Sequence, residues 1–252
     1  MDRNAKGEMV GSRTPVQREN DLRFKETALK QIADSGENWP IHSLAVMKRT
    51  ALARVLYLND LYKEIIDVPG VVCEFGVQWG ASMSVLLNLR NMYEPFNVER
   101  MIYGFDTFTG FASVHEKDGP TSKVGDYASI DNYETTLAAI LEYHESISAF
   151  QNQRKFELIK GDATLTIDTW LEDNPGATIA LAIFDMDVYL PTREVLEKIK
   201  PRLTRRSVLV FDEFSHRKFP GEVQAVREVF DMMDVDFTRS VHQSHVAIMK
   251  FR

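Results

Sequence analysis

The chain has 252 residues and a formal net charge of −7. This length suits one large α/β domain with an appended segment, whereas two full domains would be cramped. The acidic balance leaves no excess of basic charge to neutralise phosphates, which argues against nucleic acid as a main partner. The single cysteine, Cys73, excludes an intrachain disulfide and a cysteine zinc site, and it is expected to be a small buried hydrophobic residue.

The amino-terminal segment carries charged residues and no apolar core, so the sequence predicts no signal peptide. No apolar run approaches the roughly 18 residues of a membrane span. We therefore expect a soluble, cytoplasmic protein with no membrane partner.

Residues 1–17 are mostly polar and are expected to form a flexible arm. Apolar residues at helical spacing then predict helices over Arg18 to Ser35 and Ser43 to Ile66. These N-terminal helices, within residues 18–67, are expected to cover a sheet edge or to form a subunit interface. The apolar residues of the second helix favour a homo-oligomer.

Residues 68–252 alternate predicted strands and helices. The predicted strands are Val71 to Phe75, Met101 to Phe105, Phe156 to Lys160, Ile179 to Phe184 and Val208 to Phe211. The predicted helices are Ser82 to Tyr93, Tyr133 to Ser146, Leu165 to Leu171, Thr192 to Lys200 and Glu222 to Met232. This alternation predicts an α/β fold with a doubly wound, mostly parallel sheet.

The end of the chain breaks this alternation. Two strand-like segments, Asp236 to Arg239 and Val246 to Phe251, are joined by a polar turn at His242 to Ser244. They predict a hairpin that places an antiparallel strand at the sheet edge. The polar segment 113–131 is too long for a plain connection, and we predict that it forms a lid over a ligand site.

Four carboxyl groups follow two of the predicted strands. Asp185 and Asp187 come directly after one continuous apolar run, and Asp212 and Glu213 come directly after the next. Continuous runs are typical of interior parallel strands, whose carboxyl ends meet at the edge of the sheet where ligands bind. Carboxylates close together repel one another unless a cation, a proton or a substrate offsets their charge.

A glycine turn follows the first strand and begins a helix. It contains Glu74, Gly76, Gly80 and Ser82, and it lacks the third glycine of the dinucleotide fingerprint. The two glycines let the backbone turn tightly and approach a ligand. The carboxylate of Glu74 disfavours a pyrophosphate and tolerates a cationic ligand, such as the sulfonium and amino acid portion of S-adenosylmethionine.

Two further acids follow strands at tight turns. Asp106 lies where a carboxylate accepts hydrogen bonds from ribose hydroxyls, a group that NAD and S-adenosylmethionine share. Asp162 is suited to the exocyclic amine of adenine, and it is equally suited to cap the following helix. Both alternatives for Asp162 stay open at this point.

Four linked segments resemble the macrocin O-methyltransferase family: Glu74 to Ser82, Tyr103 to Phe111, Asp185 to Thr192 and Asp212 to Phe214. Members of that family are class I, Rossmann-like, S-adenosylmethionine-dependent enzymes that methylate sugar hydroxyls of glycosylated natural products. The resemblance spans roughly residues 68–230. It implies a seven-stranded sheet with an antiparallel last strand, within a methyltransferase domain at residues 68–252.

The resemblance also implies roles for individual residues. The implied cofactor-binding residues are Glu74, Gly76, Gly80, Ser82, Asp106, Thr107, Asp162, Ala163 and Asp185. The implied metal ligands, for Mg²⁺, are Asp185, Asp212 and Glu213, and Asp187 is the implied general base. A sugar hydroxyl is a poor nucleophile, so a divalent cation at its oxygen and a carboxylate that accepts its proton both lower the barrier. Oxygen ligands favour Mg²⁺ over Zn²⁺.

The chain departs from the family at two places. Glu213 stands where the family usually has a second Asp, and residues 204–207 replace a glycine-containing turn. The expected function is methylation of a deoxysugar hydroxyl, for example of rhamnose, on a small-molecule glycoside of secondary or antibiotic metabolism. The alternatives are a Rossmann-type NAD(P)-dependent oxidoreductase and a noncatalytic binding protein of the same fold.

Overall fold

The computed structural model describes residues 14–214 and 216–251 fully, and residues 2–3 and 9–10 as backbone. These two short segments, β1 Asp2–Arg3 and β2 Met9–Val10, pair antiparallel. The remainder of residues 1–13, which includes most of the predicted arm, lies outside the described residues. Helix α1 begins at Pro15, because Thr14 and Gln17 cap each other reciprocally.

The helices and remaining strands follow in the predicted alternation. The helices are α1 Pro15–Asp34, α2 Trp39–His42, α3 Arg49–Ile65, α4 Ala81–Tyr93, α5 Tyr133–Ser146, α6 Ala163–Asp173, α7 Tyr189–Ile199 and α8 Gly221–Val229. The strands are β3 Val71–Phe75, β4 Ile102–Asp106, β5 Phe156–Lys160, β6 Ile179–Phe184, β7 Leu203–Phe211, β8 Val235–Arg239 and β9 Ala247–Phe251.

The seven strands form one sheet in the order β5-β4-β3-β6-β7-β9-β8. Neighbours from β5 to β7 are parallel, and β9 is antiparallel to both β7 and β8. The predicted fold class, including the antiparallel last strand, is confirmed. The predicted terminal hairpin is formed by β8 and β9 at the sheet edge, where antiparallel β9 lies beside β7 and β8 is outermost. The more apolar strand therefore takes the covered position, as its fully buried Met249 shows.

Helices cover both faces of the sheet, which explains the continuous apolar strands. Leu181 and Ile183 of β6 pack with helices α3, α4 and α5, whereas Ala182 and Phe184 of the same strand pack with α6, α7 and α8. Alternate residues of one strand therefore both enter a core. Cys73 is buried in one of these cores, as expected.

The predicted helix Ser43 to Ile66 is interrupted. Residues Ser43–Val46 form a 3₁₀ turn, Met47 and Lys48 are extended, and α3 starts only at Arg49. None of the helices in the described part of the chain is both long and apolar enough to cross a membrane.

A row of phenylalanines lies beneath the carboxyl ends of the central strands. Phe75, Phe105, Phe184 and Phe211 come from four adjacent strands, and neighbouring rings stack with centroids 4.8 to 5.3 Å apart. Offset-stacked rings at such distances are favourable and fix the relative register of the strand ends. This rigid floor positions the acidic turns that follow each strand.

Candidate active site

A cavity of about 360 Å³ opens at the carboxyl ends of β3, β4, β6 and β7. Predicted site residues that line it are Glu74, Gly76, Ser82, Asp106, Thr107, Asp162, Ala163, Asp185, Asp187, Asp212 and Glu213. Gly80 does not line it. The structure therefore brings together acids from the ends of β3, β4, β6 and β7, with Asp162 after β5 beside them, as the sequence predicts.

The two glycines of the turn after β3 have different roles. Gly76 has φ +95°, and a Cβ there would lie 2.1 Å from the backbone oxygen of Asp185. The turn and the end of β6 therefore touch backbone to backbone, which only glycine permits. Gly80 has φ +72°, and a Cβ there would meet the side chain of Leu137, so this residue serves helix packing.

Asp106 holds the glycine turn against the end of β4. One of its oxygens accepts hydrogen bonds from the backbone N–H groups of Val77 and Gln78, at 2.6 and 2.7 Å. The other accepts from Phe108 N at 2.5 Å. Burial raises the pKa of Asp106, and these N–H groups oppose that shift by stabilising the charged form. Beyond any contact with a ribose, Asp106 organises the backbone of the site.

Asp162 caps helix α6. Its Oδ1 accepts from Thr164 N at 2.9 Å and from Thr164 Oγ1 at 2.8 Å, and α6 begins at Ala163. The capping alternative is therefore confirmed. Asp162 still lines the cavity, so a ligand contact is compatible with the cap.

Glu74 is a buried carboxylate, and one of its oxygens lacks a hydrogen-bond partner among the described residues. Its side chain is 1% exposed, and that oxygen is Oε2. Burial raises the pKa of Glu74 well above its ordinary value, and the charge of Asp185 adds to that shift. A positively charged ligand group in the cavity would offset both effects.

Arg54, on helix α3, is the cationic side chain among the residues that line the cavity. It donates to Ser82 Oγ at 2.5 Å, and its Nη2 lies 3.5 Å from Asp185 Oδ2 and 3.9 Å from Asp212 Oδ2. Burial opposes its charge, but the Asp185 and Asp212 carboxylates together raise the pKa of Arg54 above the ordinary value. Arg54 therefore partly balances the acids.

The acids after β6 and β7 form a half-buried cluster. Burial and the charge of Asp185 raise the pKa of Asp212 to about 7. Burial, with Asp212 beside it, raises the pKa of Glu213 to about 8. Asp187 is 7% exposed and has φ +61°, a left-handed conformation that is uncommon outside glycine and often marks a functional constraint.

One metal-competent triad occurs among the described residues. Ligand atoms of Asp212, Glu213 and His245 all lie within 4.8 Å of one another. This set differs from the predicted Asp185, Asp212 and Glu213, because Asp185 faces the guanidinium of Arg54 instead. The donor set, two carboxylates and an imidazole, fits a divalent cation.

Comparison with known proteins identifies the family. Residues 73–214 match a family described as a methyltransferase domain. The chain belongs to this methyltransferase family.

Two solved structures agree with this methyltransferase over nearly its whole length. CalS11, described as a calicheamicin methyltransferase, is 34% identical, with a TM-score of 0.88 over 99% of this chain and 98% of that chain. Apo CalS11, described as a TDP-rhamnose 3'-O-methyltransferase, is 31% identical, with a TM-score of 0.81 over 95% and 96%. The O-methyltransferase NovP shares the fold at 18% identity, with a TM-score of 0.56 over 79% of each chain. A search of curated proteins found no significant match.

The expected enzyme class, an S-adenosylmethionine-dependent O-methyltransferase, is confirmed, as is the family resemblance. The family match argues against the oxidoreductase and noncatalytic alternatives. The individual site residues stay predictions, since their roles follow from placement in the cavity.

The segment predicted as a lid packs beside the cavity of the methyltransferase. Asp118, fully buried, accepts from Tyr189 N at 2.5 Å and from His115 N at 2.7 Å, which fixes the first half of the segment to α7. The second half folds back, and Tyr127 reaches the cavity wall. Closure over a ligand stays a prediction.

Sequence reasoning missed Arg54 and His245. Arg54 lies four residues before the buried Leu58 on α3, so helical periodicity places it on the buried face, a signal that was available. His245 had no such signal, because its position depends on how the terminal hairpin pairs. His216, which follows the acids after β7, has its Nδ1 3.0 Å from Glu213 Oε2.

Proposed function

We propose that this enzyme transfers a methyl group from S-adenosylmethionine to a hydroxyl of a deoxysugar, such as rhamnose, in the biosynthesis of a glycosylated antibiotic or related secondary metabolite. The observation that carries the proposal is the near full-length likeness to CalS11, which is described as a TDP-rhamnose 3'-O-methyltransferase. The likeness includes the N-terminal helices and residues 113–131, the segments that would shape an acceptor pocket.

The cavity fits S-adenosylmethionine. When bound, this cofactor supplies an electrophilic methyl group on a sulfonium. Glu74 Oε2, which has no hydrogen-bond partner among the described residues, is suited to its ammonium group, and Gly76 also lines the cavity. We propose that Arg54 and Ser82 face its carboxylate, because Arg54 supplies the positive charge that such a group requires. Asp106 and Thr107 face the ribose, and Asp162 and Ala163 face the adenine.

Asp187 is the proposed general base. It lies between the end of β6 and α7, lines the cavity, and belongs to the cluster that includes Asp185 and Asp212. Asp187 would take the proton of the acceptor hydroxyl while the new oxygen–methyl bond forms and the sulfur–methyl bond of the sulfonium breaks to leave a thioether, so no covalent enzyme intermediate is needed. Asp185, at the same strand end, serves the cofactor side.

A divalent cation at the acidic cluster is part of the proposal. Asp212 and Glu213 would hold it, and Mg²⁺ is the ion that the sequence predicts. Bound there, a cation would stabilise the developing alkoxide and offset the repulsion between the carboxylates. The same positive charge would hold Asp212 and Glu213 in their ionised forms.

Glu74→Gln tests the cofactor site. We expect it to weaken S-adenosylhomocysteine binding by about tenfold or more, because the variant loses a charge-assisted hydrogen bond to the ligand ammonium. Isothermal titration calorimetry measures the affinity. Glu157→Gln, on the solvent-exposed side of β5, is the matched control and should bind like wild type. Unchanged binding by Glu74→Gln would remove Glu74 from the cofactor site.

We also propose a homo-oligomer built on the N-terminal helices. Helix α1 buries no residue, and large apolar side chains on it and on the following turns are strongly exposed, among them Leu22, Leu29, Ile41 and Leu44. A patch of this kind marks a protein–protein contact, and a second copy would bury it.

Light scattering tests this proposal. The double variant Ile41→Lys with Leu44→Lys is expected to shift wild-type oligomers to a smaller species. Leu165→Lys, at an equally exposed leucine on α6, should leave the mass unchanged. A monomeric wild type, or a double variant with unchanged mass, would contradict the proposal.

A further inference from the structure

We propose that His245 is a metal ligand, so that the cation site consists of Asp212, Glu213 and His245 and prefers a transition ion such as Mn²⁺ to Mg²⁺. This inference rests on the proposed cation-assisted function and changes both its ligand set and its metal. The carrying observation is that ligand atoms of these three residues lie within 4.8 Å of one another.

Strand pairing explains why His245 reaches the cluster. Strands β7 and β9 are antiparallel neighbours, and their register ends with Phe211 opposite Ala247. Continued by two residues, this register sets Glu213 opposite His245. The position of β9 between β7 and β8 is therefore what brings an imidazole to the acids.

The contacts of Asp185 separate it from this triad. Its carboxylate lies 3.5 Å from the guanidinium of Arg54, which lies farther from Asp212 of the triad, at 3.9 Å. Arg54 is held in turn by Ser82, at 2.5 Å. Asp185 thus has a cationic partner from the protein, whereas Glu213 has the imidazole of His216, whose Nδ1 lies 3.0 Å from Glu213 Oε2.

A second, independent observation points to a missing positive charge. Glu222 is fully buried directly behind the triad, and its Oε1 accepts from Glu213 N at 3.0 Å. Its Oε2 has no hydrogen-bond partner among the described residues. A buried carboxylate next to two more carboxylates is costly in its charged form, and either a proton or a nearby cation offsets that cost.

The ligand chemistry selects the metal. Mg²⁺ prefers oxygen ligands, whereas imidazole nitrogen raises the affinity for first-row transition ions. Mn²⁺ accepts both carboxylates and imidazole, so a site with two carboxylates and one histidine suits it. The triad contains no thiolate and one histidine, whereas Zn²⁺ sites usually have more thiolate or imidazole ligands.

Mn²⁺ binding to the full-length protein, without cofactor or acceptor, tests the inference by electron paramagnetic resonance. Wild type is expected to bind Mn²⁺ more tightly than Mg²⁺ and to show ¹⁴N coupling from a bound imidazole. His245→Ala should weaken Mn²⁺ binding by at least about tenfold, since even outer-shell changes cost that much. Asp185→Asn should cost less than His245→Ala.

His242→Ala is the matched control, because His242 lies in the same turn and pairs with Asp60, away from the triad. It should bind Mn²⁺ like wild type. His245→Gln, which preserves side-chain size, should also lose the ¹⁴N signal if His245→Ala proves unstable.

Three results would overturn the inference: no Mn²⁺ binding by wild type, a ¹⁴N signal that survives in His245→Gln, or a larger loss in Asp185→Asn than in His245→Ala. Because neither cofactor nor acceptor is present, such a result leaves the proposed methyl transfer standing. Conversely, absent methyl transfer with intact Mn²⁺ binding would refute the proposed function alone.

Discussion

Asp187→Asn is expected to lower the rate of methyl transfer by about 10²- to 10⁴-fold, the usual contribution of a positioned general base. The amide has nearly the same size and cannot accept the proton of the acceptor hydroxyl. Asparagine also tolerates the left-handed backbone at this position, where φ is +61°, so the fold should be preserved. The expected change is therefore confined to the chemical step.

Single-turnover kinetics with labelled S-adenosylmethionine measures this step, and titration with S-adenosylhomocysteine checks that cofactor binding is retained. Asp173→Asn, at the exposed end of α6, is the control for loss of one carboxylate and should keep the wild-type rate. If Asp187→Asn transfers methyl groups as fast as wild type, Asp187 is not the base.

Gly76→Ala is expected to reduce the free energy of unfolding by about 2 to 4 kcal/mol, from overpacking together with an unfavourable positive φ. It should also abolish S-adenosylhomocysteine binding. The added Cβ would lie 2.1 Å from the backbone oxygen of Asp185, so the turn after β3 or the end of β6 must move. Either movement displaces residues on both sides of the cavity.

Gly125→Ala separates the cost of overpacking from the cost of a positive φ. Gly125 has a similar φ of +83°, but a Cβ there meets nothing within 4 Å. This control should cost only about 1 to 2 kcal/mol, the price of a left-handed alanine. Urea unfolding measures both variants, and equal losses would show that the contact with Asp185 is unimportant.

The central strands could be predicted because each is a continuous apolar run. Both faces of β6 enter a core, so the run Ile179–Phe184 has no polar interruption, and the sequence alone defines its ends. Strand β7 starts earlier than predicted, at Leu203, and the prediction missed this part because Arg205 and Arg206 are charged and exposed and interrupt the apolar run. Whether such residues are exposed within a strand depends on the tertiary structure, so local sequence patterns do not reveal it.

The acids of the site could be predicted for the same reason, since each follows directly from a strand end. The partners of those acids could not. Arg54 comes from a helix 131 residues before Asp185, and His245 depends on the insertion of β9 between β7 and β8. Local patterns record periodicity and turns, whereas strand order and helix docking depend on which surfaces pack best. The cation site is therefore where sequence and structure differ most.

Transfer of an isotopically labelled methyl group from S-adenosylmethionine to a deoxysugar is the most direct test of the proposed sugar O-methylation. The acceptors are a nucleoside diphosphate rhamnose and a rhamnosyl glycoside, with a nonsugar phenol for comparison, and the products are analysed by NMR. We expect a labelled methyl ether on one sugar hydroxyl and none on the phenol. Labelling of the phenol alone, or no labelled sugar with enzyme that binds S-adenosylhomocysteine, would contradict it.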